Sequence, residues 1–275
     1  MLKITSFGKI TRIDTARSFA GRGYYWTTAY LVDGLLVDSG CAASADELVA
    51  ALKDSTIKHI INTHSHEDHI GANGFLQEDR TGLEILAHPS ALRILANPRE
   101  EQQLQLYRRL IWGWPKSSQA VAVSDGEVIK TSNHRFRVIY TPGHSPDHLC
   151  LYEPDEGWLF TGDLFNGSKD RAIRMDTDIW GIIASLKKIY DLSLSCLYPG
   201  CARVRDNPRQ ELSQKIVYLE EMGEKVLFLH RKGMSRSDII KTLFPGIMLV
   251  ELITMGHFSR WGFVNAFLQN KNQPD

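Results

Sequence analysis

Thr63-His64-Ser65-His66-Glu67-Asp68-His69 stands at the end of the apolar run 57–61 and gathers three imidazoles and the carboxylate of Asp68 into six residues. A strand ending at Thr63 and followed by a tight loop aims His64 and His66 the same way, because alternate side chains share a face. The loop then turns Asp68 and His69 toward a neighbouring point. Such an arrangement suits two adjacent metal ions, since imidazole nitrogen and carboxylate oxygen are the ligands of hydrolytic zinc, manganese or iron sites. Without ions, so many polar groups beside a buried strand are costly.

Three further stretches share this character. They are Leu36-Val37-Asp38-Ser39-Gly40, Thr141-Pro142-Gly143-His144 and Phe160-Thr161-Gly162-Asp163, and His144 and Asp163 each stand just after a strand-like run. With the His-x-His-x-Asp-His pattern at 64–69, their order and spacing over residues 30–201 resemble the metallo-β-lactamase fold superfamily. The likeness is to its hydrolase branch, the glyoxalase II and lactonase-like metallohydrolases. The resemblance implies an α/β fold, an αββα sandwich over residues 1–206, here followed by a C-terminal helical appendage over 207–275. It also implies two divalent metal ions, zinc foremost, with iron and manganese as alternatives. His64, His66 and His144 would hold one ion, Asp68 and His69 the other, and Asp163 would bridge them.

Two dications sharing a water lower its pKa to about 7, against about 15.7 in bulk, so a metal-bound hydroxide is available at neutral pH. Asp68, the expected catalytic residue, would receive the proton of the attacking water. Asp38 could fix the tautomer of a ligand histidine through its other nitrogen, or merely satisfy backbone amides at a strand end. The pattern departs from the family at Pro199-Gly200-Cys201, where family hydrolases usually have histidine. Either the Cys201 thiolate is a ligand, or the second ion is weak or lost, or His257 reaches in.

The whole chain sets the outer bounds. At 275 residues it can form one large domain or one domain with an appendage. Its 43% hydrophobic and 23% charged content is that of an ordinary soluble globular protein. Lys+Arg and Asp+Glu are both 32, so bulk electrostatics favour neither nucleic acid nor an anionic membrane, although Arg99, Arg108 and Arg109 could form a local basic patch. No apolar run approaches the length of a membrane span or a signal peptide. The expectation is a cytoplasmic protein with a small-molecule substrate and no nucleic-acid or membrane partner. The oligomeric state is left open. Cys41, Cys150, Cys196 and Cys201 are too few and too scattered for a disulfide framework.

In order along the chain, residues 2–13 alternate as a strand, and Asp33-Gly34 between two apolar runs is a hairpin signal. Ser44 and Glu47 have capping-box spacing and open a helix to about Leu52. Strands follow at 57–62 and 84–87, then helical pieces at 89–97 and 98–112, then strands at 126–130, 136–140, 149–152 and 158–161. Apolar residues at helical spacing mark 176–192, a short strand spans 196–198, and helices are expected at 208–231, 235–244 and 258–269. His88 reads as a hydrogen-bonded structural histidine, and His59 and His134 as surface residues. Trp112, in Trp112-Gly113-Trp114, is either core or cleft wall. With His257 and Phe258 it is a candidate substrate-binding residue.

The function expected is metal-dependent hydrolysis of a small ester-like substrate: a thioester, lactone or phosphoester. Many zinc β-lactamases carry cysteine where Asp163 stands, which argues against that activity. An RNA-processing phosphodiesterase of the same fold is disfavoured by zero net charge and by the lack of a long inserted domain. A binding or sensing protein with a partly decayed metal site is the remaining alternative, and Cys201 is its main support. A redox diiron protein is argued against by His66, where that branch has glutamate.

Overall fold

The computed structural model describes residues 1–269. By its internal contacts the chain divides into two units. One comprises Met1–Tyr140, Asp147–Asn166 and Ser193–Asp206, and the other Thr141–Pro146, Gly167–Leu192 and the chain from Asn207 on.

The first unit holds a seven-stranded sheet in sequence order: β1 (Leu2–Phe7), β2 (Ile10–Phe19), β3 (Arg22–Val32), β4 (Leu35–Val37), β5 (His59–Ile61), β6 (Glu84–Ala87) and β7 (Ala120–Ala122). The expected single strand over 2–13 is two, because Gly8 takes a φ of 59° and turns the chain back on itself. Asp33 and Gly34 also take left-handed angles, 49° and 80°, as a two-residue hairpin loop requires, and they join β3 to β4. From β4 to β7 the pairing becomes parallel. Parallel neighbours need crossovers, and α1 (Ala45–Ala51) and α2 (Asn73–Asp79) supply the first two.

The capping box expected at Ser44 does not form. Ser44 lies before α1, but its hydroxyl bonds the Cys41 carbonyl, and Glu47 pairs instead with the N-terminal amine at 2.8 Å. The expected helix over 98–112 is broken. After α3 (Leu92–Ala96) the chain forms α4 (Pro98–Glu101) and, past a four-residue gap, α5 (Leu106–Ile111).

A second sheet in the same unit contains β8 (Val128–Lys130), β9 (Arg135–Tyr140), β10 (Leu149–Glu153), β11 (Trp158–Gly162) and β13 (Cys196–Pro199); the intervening β12 (Ile173–Arg174) belongs to the other unit. β13 lies parallel to β11. Val37, Ile61 and Leu86 of the first sheet share a buried cluster with Val138, Leu151 and Phe160 of the second. Their neighbours Leu36, Ile60 and Ile85 point the other way, onto Leu48 and Leu76 of the covering helices. Period-two alternation with both faces buried explains why these strands read as nearly continuous apolar runs.

His134, expected at the surface, is 7% exposed, with Nδ1 3.3 Å from the Asp33 carboxylate. His88 bonds Ser90 at 2.7 Å and stacks on Tyr140, the structural role expected of it.

The second unit is mainly helical: α6 (Ile179–Tyr190), α7 (Pro208–Arg231), α8 (Arg236–Leu243), α9 (Leu249–Ile253) and α10 (Arg260–Leu268), with a ribbon of β12 and β14 (Phe258–Ser259). Asp178 caps α6 by accepting from Gly181 N, and Ser235 caps α8 by accepting from Asp238 N. Buried Lys215 pairs with Asp170 at 2.9 Å. No helix among the described residues is long and apolar enough to cross a membrane.

Candidate metal centre

Within the first unit, the carboxyl ends of β4, β5, β11 and β13 lead into the loops that carry Asp38, residues 62–69, Asp163 and Cys201 respectively. Backbone amides there have no further ladder partners, so polar side chains collect without disturbing the sheet. Asp38 takes a φ of 60°, a conformation that Asp and Asn tolerate better than most residues. Its Oδ1 accepts from Thr63 N at 2.7 Å, and its Oδ2 accepts from Thr63 Oγ1 at 2.8 Å and from His69 Nδ1 at 2.7 Å.

This network sets two tautomers. The Asp38 carboxylate accepts, so His69 keeps a proton on Nδ1 and turns Nε2 toward the site. The Thr63 hydroxyl spends its one O–H on Asp38, so it accepts from His64 Nδ1 at 3.0 Å, and His64 Nε2 is left facing His66 Nδ1 at 2.9 Å. Asp38 thus orients His69 directly and His64 through Thr63, the support that ligating imidazoles require.

The other donors gather round His69. Its Nε2 lies 3.5 Å from Asp163 Oδ1, 3.8 Å from Asp68 Oδ2 and 3.8 Å from Cys201 Sγ. The ligand-type atoms of His64, His69 and Asp163 lie within 4.8 Å of one another, as do those of Asp68, His69 and Cys201. Two glycines make this approach possible. A Cβ at Gly200 would stand 2.6 Å from His69 Cε1, and one at Gly162, whose φ is 45°, would stand 2.7 Å from both His148 Nε2 and Thr63 Oγ1.

Several supports carry no local sequence signal. His148 is fully buried and accepts from Asp163 N at 3.2 Å. Burial outweighs its acidic neighbours and pushes its pKa down to about 4, so it stays neutral. Asp147 accepts from Ser65 N at 2.8 Å and Gln102 donates to Ser65 O, bracing the histidine loop. Arg108, expected in a surface patch, is buried and grips Glu67 through two parallel hydrogen bonds. That pair neutralises the second carboxylate of the loop.

The remaining charge calls for a cation. Burial, with the charges of Glu67 and Asp163, raises the Asp68 pKa to about 7, against the pull of His69. His69 is held well above the usual imidazole value: burial opposes its charge, but Asp38, Asp163 and Asp68 together prevail. Burial and Asp163 likewise push the Cys201 thiol up. This group of nitrogen, oxygen and sulphur donors fits divalent metal ions.

His144 lies half-buried in the loop that leaves β9, within the other unit. His257 and Phe258 are neighbours in that unit, with rings edge-to-face at 5.5 Å. Trp112 is half-buried beside α5, its Nε1 donating to Tyr25 O at 3.2 Å.

Residues 27–212 match the metallo-beta-lactamase superfamily. The chain belongs to that superfamily. It is 30% identical over 197 residues to an Aspergillus fumigatus protein named atrochrysone carboxyl ACP thioesterase, covering 70% of this chain and 55% of that one. It is 27% identical over 227 residues to a Legionella pneumophila hydroxyacylglutathione hydrolase, covering 81% of this chain and 67% of that one. Against the thioesterase, the chain thus spans little more than half of the relative's length. A crystal structure of a metallo-beta-lactamase family protein from Thermus thermophilus superposes with a TM-score of 0.67 at 21% identity, covering 94% of this chain and 91% of that one. That likeness shows a shared fold.

Proposed function

We propose that this member of the superfamily is a dinuclear metallohydrolase that cleaves a small thioester, with lactones and phosphoesters as poorer substrates. The observation that carries the reading is the convergence of His64, His69, Asp163, Asp68 and Cys201 at the carboxyl ends of strands from both sheets. His64 and His66, with His144 as the third imidazole, would hold one ion. Asp68 and His69 would hold the other, with Asp163 between the two. Support for His144 comes from chain order: it lies three residues before Asp147, which is itself bonded to Ser65 of the histidine loop. When bound, the ions would supply Lewis acidity and acidify water at neutral pH.

The chain's own residues do the rest. Asp38 holds two imidazoles in the tautomer that presents Nε2, and His148 holds the loop of Asp163 in place through its amide. Asp68, 8% exposed, is placed to receive a proton from the attacking water and return it to the departing thiol. No serine or cysteine nucleophile is needed. The preference for a thioester draws on the relatives named atrochrysone carboxyl ACP thioesterase and hydroxyacylglutathione hydrolase. The lack of a nucleic-acid partner belongs to the same proposal and rests on the neutral charge balance.

The test is metal analysis of the purified chain together with rates on a thioester, a lactone, a phosphodiester and a cephalosporin. The expected result is bound zinc, iron or manganese, fastest turnover of the thioester, and loss of turnover on chelation. A protein that takes up no metal, or that cuts the phosphodiester faster than every ester, would overturn the reading.

A further inference from the structure

We infer that the Cys201 thiolate is the remaining protein ligand of the second ion, which gives that ion a carboxylate, imidazole and thiolate set. This rests on the dinuclear reading above and assigns a ligand at the position where the family pattern is broken.

The backbone before Cys201 is held from three sides. Tyr30 Oη donates to Pro199 O at 2.7 Å, Thr28 N donates to Gly200 O at 2.6 Å, and Gly200 N donates to Gly162 O at 2.8 Å. The sulphur therefore leaves a fixed point. It lies 3.8 Å from Nε2 of His69, a residue with no exposed surface whose Nδ1 is committed to Asp38. Asp68 Oδ2 lies at the same 3.8 Å from that nitrogen. Zinc–sulphur and zinc–nitrogen bonds of about 2.3 and 2.0 Å at a tetrahedral angle put the two ligand atoms about 3.5 Å apart, close to the spacing found.

The other cysteines are used differently. Cys41 Sγ lies against the Ser44 hydroxyl, Cys150 Sγ against the Thr161 carbonyl, and Cys196 Sγ against the Leu197 carbonyl. Of the four sulphurs, Cys201 Sγ is the one that these contacts place against an imidazole nitrogen and within reach of a carboxylate. Metal binding breaks its S–H bond, forms the sulphur–metal bond and releases the proton to solvent. A soft ligand at this place biases the second ion toward zinc over manganese.

The test uses the full chain, stripped of metal and titrated with cobalt(II) while its absorption is recorded. The expected result is visible d–d bands from the first equivalent and, with the second, a near-ultraviolet thiolate-to-cobalt charge-transfer band. Cys201→Ser should keep the visible bands and lose the charge-transfer band, and Cys201→His should bind two ions without it. Two cobalt ions bound with no charge-transfer band in the wild type, or the band persisting in Cys201→Ser, overturns this inference and leaves the dinuclear hydrolase standing. No cobalt uptake overturns both.

Discussion

The carboxylate of Asp38 lies 2.7 Å from Nδ1 of His69, and the same carboxylate accepts a hydrogen bond from the hydroxyl of Thr63, which in turn accepts from His64. One buried acid therefore orients two candidate ligands from opposite sides of the histidine loop.

Asp38→Asn separates this role from the backbone requirement, since asparagine also accepts a φ of 60°. In one amide orientation an N–H meets His69 Nδ1–H, and in the other it meets the Thr63 amide. Metal affinity is expected to fall about 10- to 100-fold, measured by competition with a chelator. Unchanged affinity would show that the imidazoles need no such support.

Arg108 and Glu67 form a bidentate pair shut off from solvent. Arg108→Ala leaves the Glu67 carboxylate buried and uncompensated, and is expected to cost about 3–5 kcal/mol of folding stability. The double variant Glu67→Gln with Arg108→Met should recover much of that loss. Urea unfolding of the three proteins checks this, and a single variant as stable as wild type would refute it.

Asp33 links the β3–β4 turn to the loop before β9. Burial opposes its charge, but hydrogen bonds from Thr131, Asn133 and His134 outweigh it and hold its pKa at about 2, below its ordinary 3.8. A carboxylate with a lowered folded pKa contributes stability that is fully present above the ordinary value and is lost as the pH falls through the folded one. Unfolding free energy should therefore drop as the pH goes from about 4 to about 2. Asp33→Asn should flatten that part of the profile, and an identical slope in both proteins would count against the assignment.

Gly200→Ala places a methyl group 2.6 Å from His69 Cε1 and 3.2 Å from Asp163 Oδ1. The variant should keep its circular dichroism but bind metal at least about tenfold more weakly, as isothermal titration would show. Wild-type affinity would mean that the loop yields without cost.

Asp68→Ala should abolish hydrolysis while leaving the far-ultraviolet spectrum largely intact, because the residue sits in a loop beyond β5 and supports no strand. Turnover surviving in this variant would place the chemistry elsewhere.

The histidine loop, the Asp33-Gly34 hairpin and the long helix over 208–231 were legible in the sequence, because each is written in local chemistry. Ligand spacing, two residues with access to left-handed angles, and an uninterrupted helical stretch opened by Pro208 all act within a few residues. The break of 2–13 at Gly8 and the short strand β7 were not, since a single glycine and a three-residue strand carry little local signal. Nor were the parts played by Arg108, Asp147 and His148, or the grouping of 167–192 with the helices after Asn207. Those depend on which distant side chains meet once strands far apart in sequence are paired. A buried charge or imidazole shows its partner only when the sheets have closed around it.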